Sequence, residues 1–206
     1  MWNPADGHLV REIPAAARDT IFCVRFSPDG QYLATGAADR LLKVFRVADG
    51  SLVRTFEGHT SHVRGVAWSA DGHLLATAGA DRVVKLWNFD TGANVRTMRG
   101  DTYQLGEFRG EITSISFIGS TEHILVSCGD HTVRINRSSS ERDVRAFRDG
   151  ASFMHCAAAT SDGHLILGGG QDGILHVWHG DNEYAIPLLE PTGNPASPTP
   201  HAAAAK

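Results

Sequence analysis

The sequence predicts an all-β chain in which one antiparallel four-stranded unit recurs four times. Three observations carry that expectation. Asp39, Asp81, Asp130 and Asp172 are each followed six residues later by Phe45, Trp87, Asn136 and Trp178, and successive aspartates lie 42, 49 and 42 residues apart. A fixed period of about 20–50 residues marks a stacked or radial repeat architecture. Within each period, short β-forming runs alternate with Asp-Gly, Ser-Ala-Asp-Gly and Thr-Gly turns, as in an antiparallel meander. No segment sustains a 3.6-residue apolar period, so helix is expected to be minor.

Taken in order, residues 1–14 read as the outer strand of a preceding unit, because Trp2 to Arg11 aligns with Phe45 to Arg54 at an offset of 43. The expectation is a chain that opens at the end of an earlier unit's third strand. Unit one (15–57) runs CVRFSPDG, YLATGAAD, LLKVF and LVRTF. Unit two (58–99) is the clearest, with Gly58-His59 followed by HVRGVAW, HLLATA, VVKLWNF and NVRTM. Unit three (100–148) begins with a long connection holding about seven extra residues, then TSISF, HILVSCGD, TVRIN and DVRAF. Unit four (149–189) reads CAAATSDG, HLILGGGQD, ILHVW and YAIPLL. Residues 190–206 hold four of the eight prolines and an alanine run, which reads as a disordered tail. The first strands share an i, i+3, i+5 apolar pattern, namely Ile21/Val24/Phe26, Val63/Val66/Trp68, Ile112/Ile115/Phe117 and Met154/Ala157/Ala159. Three-then-two spacing predicts a bulge in each.

Composition removes several function classes. The chain of 206 residues is 42% apolar and carries a net charge of −4. Its charges are interspersed, with no basic block for nucleic acid or an anionic membrane. Cys23, Cys128 and Cys156 are widely spaced and form no C-x-x-C, so they read as buried free thiols. No apolar run reaches the length of a membrane-spanning helix, and the first residues lack a signal-peptide pattern. The compartment is left open, cytoplasmic by default. Gly168 to Gly173 spells G-x-G-x-x-G, but a strand follows rather than the helix a dinucleotide site needs. The pairs His59/His62 and His176/His179 put residues on opposite faces of a strand, and no carboxylate or thiolate completes a metal set. No cofactor and no metal are expected.

In register, these residues resemble the WD-repeat family, whose consensus runs Gly-His, V-x-F-S-P-D-G, L-A-S-G-S-x-D and a strand ending in Trp-Asp. The resemblance covers residues 2 to about 189. It implies a β-propeller segment in which each unit is one blade around a central channel. Four blades and a leading strand, where the family most often uses about seven, predict an incomplete ring with open blade faces that could self-associate. Unit three has Asn136 at the aromatic position and units three and four lack Gly-His, so both are expected to be looser. The resemblance also assigns His59, Thr77, Asp81 and Trp87 to a buried hydrogen-bond relay rather than to a hydrolase triad. Reduced versions would use Thr35 and Asp39, Asp130 alone, and Asp172 with Trp178; Asp130 is expected to matter less than Asp81. No nucleophile elbow is present, and no catalytic residue is assigned.

Mapping the family's channel-facing top surface yields Thr20 and Phe22, His62 and Arg64, Glu111 and Thr113, Phe153 and His155, with Gln171 before the last turn aspartate. Exposed aromatics and arginines are the usual anchors of a binding surface, so Phe22, His62, Arg64, Phe153, His155 and Gln171 are the partner-binding candidates. The implied function is a non-catalytic scaffold for a protein or peptide. The units also look like WD-repeat tails joined to c-type cytochrome domains in some large bacterial proteins, which makes an accessory role in a redox protein the alternative.

Overall fold

The computed structural model describes residues 1–14, 16–99, 108–139, 143–148, 152–179 and 183–187. The tail expected at 190–206 and most of the long connection into unit three lie outside them. The described residues hold four antiparallel sheets, each with its four strands paired in chain order, and no helix. The first sheet comprises β1 (Ile21–Phe26), β2 (Tyr32–Ala37), β3 (Leu42–Arg46) and β4 (Leu52–Phe56). The second comprises β5 (Val63–Trp68), β6 (Leu74–Gly79), β7 (Val83–Asn88) and β8 (Asn94–Arg99). The third comprises β9 (Ile112–Phe117), β10 (His123–Cys128), β11 (Thr132–Arg137) and β12 (Asp143–Arg148). The fourth comprises β13 (Met154–Ala159), β14 (Leu165–Gly170), β15 (Ile174–His179) and β16 (Glu183–Pro187).

Turn chemistry explains the first hairpin of the first, second and fourth sheets. Ser27 Oγ donates to Asp29 Oδ1 at 2.5 Å, the same carboxylate accepts from Gln31 N, and Gly30 takes φ +72°. Ser69–Asp71–Gly72 and Thr160–Asp162–Gly163 repeat the arrangement. Glycine is needed there because the left-handed region costs a residue with a Cβ.

The register shifts in the first strand of every sheet, at Ile21/Cys23, Val63/Gly65, opposite Ser127/Cys128 and at Met154/Cys156. This is the bulge that the three-then-two spacing predicts. It turns all three apolar residues of the strand toward the preceding sheet. Val63, Val66 and Trp68 pack on Ala34, Leu42, Val44 and Phe56 of the first sheet. Ile112 and Ile115 meet Ala76, Val84, Leu86 and Met98 of the second. Met154, Ile166 and Trp178 close over Leu125, Val133 and Phe147 of the third. Fully burying one such side chain contributes about 1.5–3 kcal/mol, so the core is distributed over three interfaces.

The outer faces differ. Ile21, Val24 and Phe26 stand 41%, 47% and 56% exposed, although they occupy the register that is buried in the second sheet. Among the described residues, the leading segment lies on this side. Trp2 bridges Leu9 as Phe45 pairs with Leu52, and a cavity of about 430 Å³ separates the segment from Ile21, Val24 and Leu33. Among the described residues, the fourth sheet makes no packed interface with the first.

Candidate functional site

Two groups of residues were singled out by sequence, a buried relay and a surface. In the second sheet the relay is complete. Trp87 Nε1–H donates to Thr77 Oγ1 at 2.9 Å, Thr77 Oγ1 lies 2.8 Å from His59 Nε2, and His59 Nδ1 lies 2.9 Å from Asp81 Oδ2. With the imidazole in its Nδ1–H tautomer, each group donates to the next and the chain ends on a carboxylate. Thr60 N–H adds a further donor to Asp81 at 2.8 Å. Burial pushes the Asp81 carboxyl up, but His59 and the backbone donors outweigh it and hold the group below its ordinary value. Thr77 is 0% exposed and bonded to His59 and Trp87, so its hydroxyl faces no space where a substrate could sit.

The other three turn aspartates are satisfied by a different residue. Asp39 takes Lys43 Nζ at 3.1 Å, Asp130 takes Arg134 Nη2 at 2.7 Å, and Asp172 takes His176 Nε2 at 2.9 Å. Each partner sits four residues after its aspartate, across the turn and on the third strand. Asp130 also accepts from Thr132 Oγ1 and from Arg109 N–H. In all three, burial raises the carboxyl while the donors together bring it below its usual value. Thr35, expected in the first reduced relay, instead faces Lys43 O at 3.4 Å. At Gly168, which replaces the hydroxyl in the fourth sheet, a Cβ would stand 2.6 Å from Met154 Cε and 2.8 Å from Trp178 Cζ3, so the tryptophan has taken the room. Third-strand cations as carboxylate partners were missed in the sequence, although D-x-x-x-[KRH] is legible in all four units.

A second missed element is an arginine on the fourth strand. Arg54 Nη1 and Nη2 donate to Thr91 O and Asp90 O of the next sheet, at 3.2 and 3.0 Å. Arg11, 43 residues earlier, donates to Asp49 O and Ala48 O in the same way. The signal was the recurring Val-Arg of LVRE, LVRT, NVRT and DVRA.

The surface candidates fall into two clusters. Phe22 and His62 stack with centroids 5.6 Å apart, and the Arg64 guanidinium lies 5.5 Å from the Phe22 centroid. Glu111 fixes that guanidinium at 2.8 Å. The cluster therefore runs across three sheets, beside a groove of about 400 Å³ that also touches Thr113 and Ser114. Phe153 and His155 form a separate pair at 5.1 Å. Phe153 is half-buried because its ring lies over Gly129, where a Cβ would stand 2.4 Å from Cε2. Gln171 is exposed, and its N–H donates to Phe153 O at 3.0 Å. The equivalent bonds Ala38 N to Thr20 O, Ala80 N to His62 O and Gly129 N to Glu111 O place the candidate residues in one register on every sheet.

The cysteines depart from expectation at one position. Burial pushes the Cys23 thiol up to about 11 and Cys128 to about 12, whereas Cys156 is exposed. Cys23 and Cys156 share a register, but the second sheet covers the first while no described sheet follows the fourth. Among the described residues no three His, Cys, Asp or Glu side chains converge as a metal site.

Comparison with known proteins decides the family. The WD40 family model, described as WD domain, G-beta repeat, matches residues 7–46, 50–88, 102–135 and 144–179. The chain belongs to the WD40 family. Among curated WD40 relatives, nuclear distribution protein nudF of Emericella nidulans is 31% identical over 163 residues, 78% of this chain and 36% of its own length. A probable serine/threonine-protein kinase, PkwA of Thermomonospora curvata, is 44% identical over 62 residues, 29% of this chain and 8% of its own. The general transcriptional corepressor TUP1 of Saccharomyces cerevisiae is 44% identical over 59 residues, 26% of this chain and 8% of its own. The chain thus spans no more than about a third of these WD40 relatives. The solved structure of U3-55K superposes with a TM-score of 0.75 at 20% identity, covering 84% of this chain and 53% of that one, which shows a shared fold.

Proposed function

We propose that this WD40 chain is a non-catalytic scaffold that holds a polypeptide partner on the face carrying Phe22, His62 and Arg64. The observation that carries the reading is the Phe22–His62 stack with the Arg64 guanidinium over it, pinned by Glu111. An exposed aromatic and an arginine held in one geometry lose little freedom on binding, which is how a few residues come to dominate an interface. The enclosed Thr77 hydroxyl supports the non-catalytic part of the reading. With a purified partner in a calorimetric titration, Phe22→Ala and Arg64→Ala are each expected to cost about 1–2 kcal/mol of binding. Unchanged affinity in both, with melting intact, removes this face from the proposal.

The exposed Ile21, Val24 and Phe26 favour a second contact, with another copy of the chain. This face has the chemistry of Val63, Val66 and Trp68, which fit the trailing face of the blade before them. The fourth blade presents a trailing face of that kind, with Leu167 and Leu175 half-buried. Sedimentation velocity should show concentration-dependent dimers that Val24→Lys abolishes. A wild-type chain that stays monomeric throughout ends this reading.

A further inference from the structure

A cleft of about 570 Å³ lies between the second blade and the segment that enters the third, away from the Phe22 face. We infer that it binds a small phosphate monoester, held as a dianion by Lys85, Arg82 and Arg99. The argument begins with the exchange of partners described above. In the first and third blades the cation four residues after the turn aspartate is paired with it, and in the fourth His176 stands 2.9 Å from Asp172. In the second blade His59 and Thr60 already occupy Asp81, so the equivalent Lys85 has no carboxylate within 4.0 Å among the described residues. Its ammonium donates to Thr97 Oγ1 at 3.1 Å, a neutral acceptor, and points into the cleft.

Arg82 and Arg99 line the same cleft and make no ion pair among the described residues, and Arg109 stands at its rim. Asp81 is the opposing charge, but its side chain is only 5% exposed and already accepts from His59 and Thr60. A chain of net charge −4 thus gathers several cations around one hollow. Burial holds the Lys85 ammonium below its usual value, Asp81 opposes that shift, and Arg99 adds to it. A bound dianion would offset the desolvation by direct charge pairing and counter the repulsion. Guanidinium and ammonium donors together match a phosphoryl group, which carries close to two charges at neutral pH. The volume falls in the ordinary range for small-molecule sites, about 300–1,000 Å³.

The test is calorimetric titration of the full chain with phenyl phosphate, and with phenyl sulfate as the singly charged control. Saturable binding of phenyl phosphate is expected, with weaker binding of phenyl sulfate. Lys85→Met and Arg99→Met should each weaken phenyl phosphate about tenfold, while Lys43→Met, the paired equivalent in the first blade, leaves it unchanged. Arg99 is exposed, so its variant remains decisive if Lys85→Met fails to fold. Equal affinity for the two probes, unchanged affinity in Arg99→Met, or no saturation up to about 10 mM overturns the assignment.

Discussion

Asp130→Ala is expected to lower the free energy of unfolding by about 3 kcal/mol, more than the loss at Asp39. Arg134 is only 2% exposed and lies under Phe108, with its guanidinium carbon 5.1 Å from the ring centroid. Removing the carboxylate takes an anionic partner 2.7 Å from Nη2 away from a buried guanidinium whose Nε donates to Thr132 Oγ1. Lys43, the partner of Asp39, is 13% exposed at its side chain and can turn to water. Asp130→Asn keeps an acceptor and should cost less than alanine. Urea unfolding of the three variants measures the order; a loss below about 1 kcal/mol at Asp130 would show that the pair contributes nothing net. The sequence ranks Asp130 below Asp81 because its unit lacks the aromatic. A buried guanidinium beside Asp130 is a further consideration that this ranking did not weigh.

Trp87→Ala should cost about 4 kcal/mol, within the range for emptying an aromatic site in a core. The ring is buried between the first two blades and lies 5.5 Å from Phe56, so truncation opens a cavity on an interface. It also strips Thr77 Oγ1 of its indole donor. Trp87→Phe restores most of the volume without that donor and should cost about 1 kcal/mol from the missing hydrogen bond, plus any residual void. The difference between the variants separates packing from the relay. Equal losses would mean that the hydrogen bond, not the filled volume, holds the site.

Much of the architecture is legible because strands have a period of two and turns have their own chemistry. Ser27-Pro28-Asp29-Gly30 announces its hairpin, and the spacing of Ile21, Val24 and Phe26 announces a bulge, from local residues alone. Phe22 and Arg64 also follow from register, since they occupy equivalent places on β1 and β5, and His62 stands just before β5. What stays hidden depends on neighbouring sheets. Nothing local to Phe153 foretells that Gly129 of another blade leaves room for its ring. The arginine clamps behave likewise, because Arg54 finds its carbonyls 36 and 37 residues away. Cys156 and Cys23 differ only in whether a sheet follows them. The third-strand cations were visible as residues but not as partners, because their aspartates fitted a relay that three units had exchanged.

The packing of each described blade only on the one before and the one after gives the molecule a nearest-neighbour cooperativity. In such an array the free energy is close to a sum of a contribution for each repeat and one for each shared boundary. Among the described residues the second and third blades share two boundaries and the first and fourth share one, so opening is expected to cost less at the first and fourth. A lesion at one boundary divides the stack into two segments that lose their mutual support, while bonds inside each blade persist.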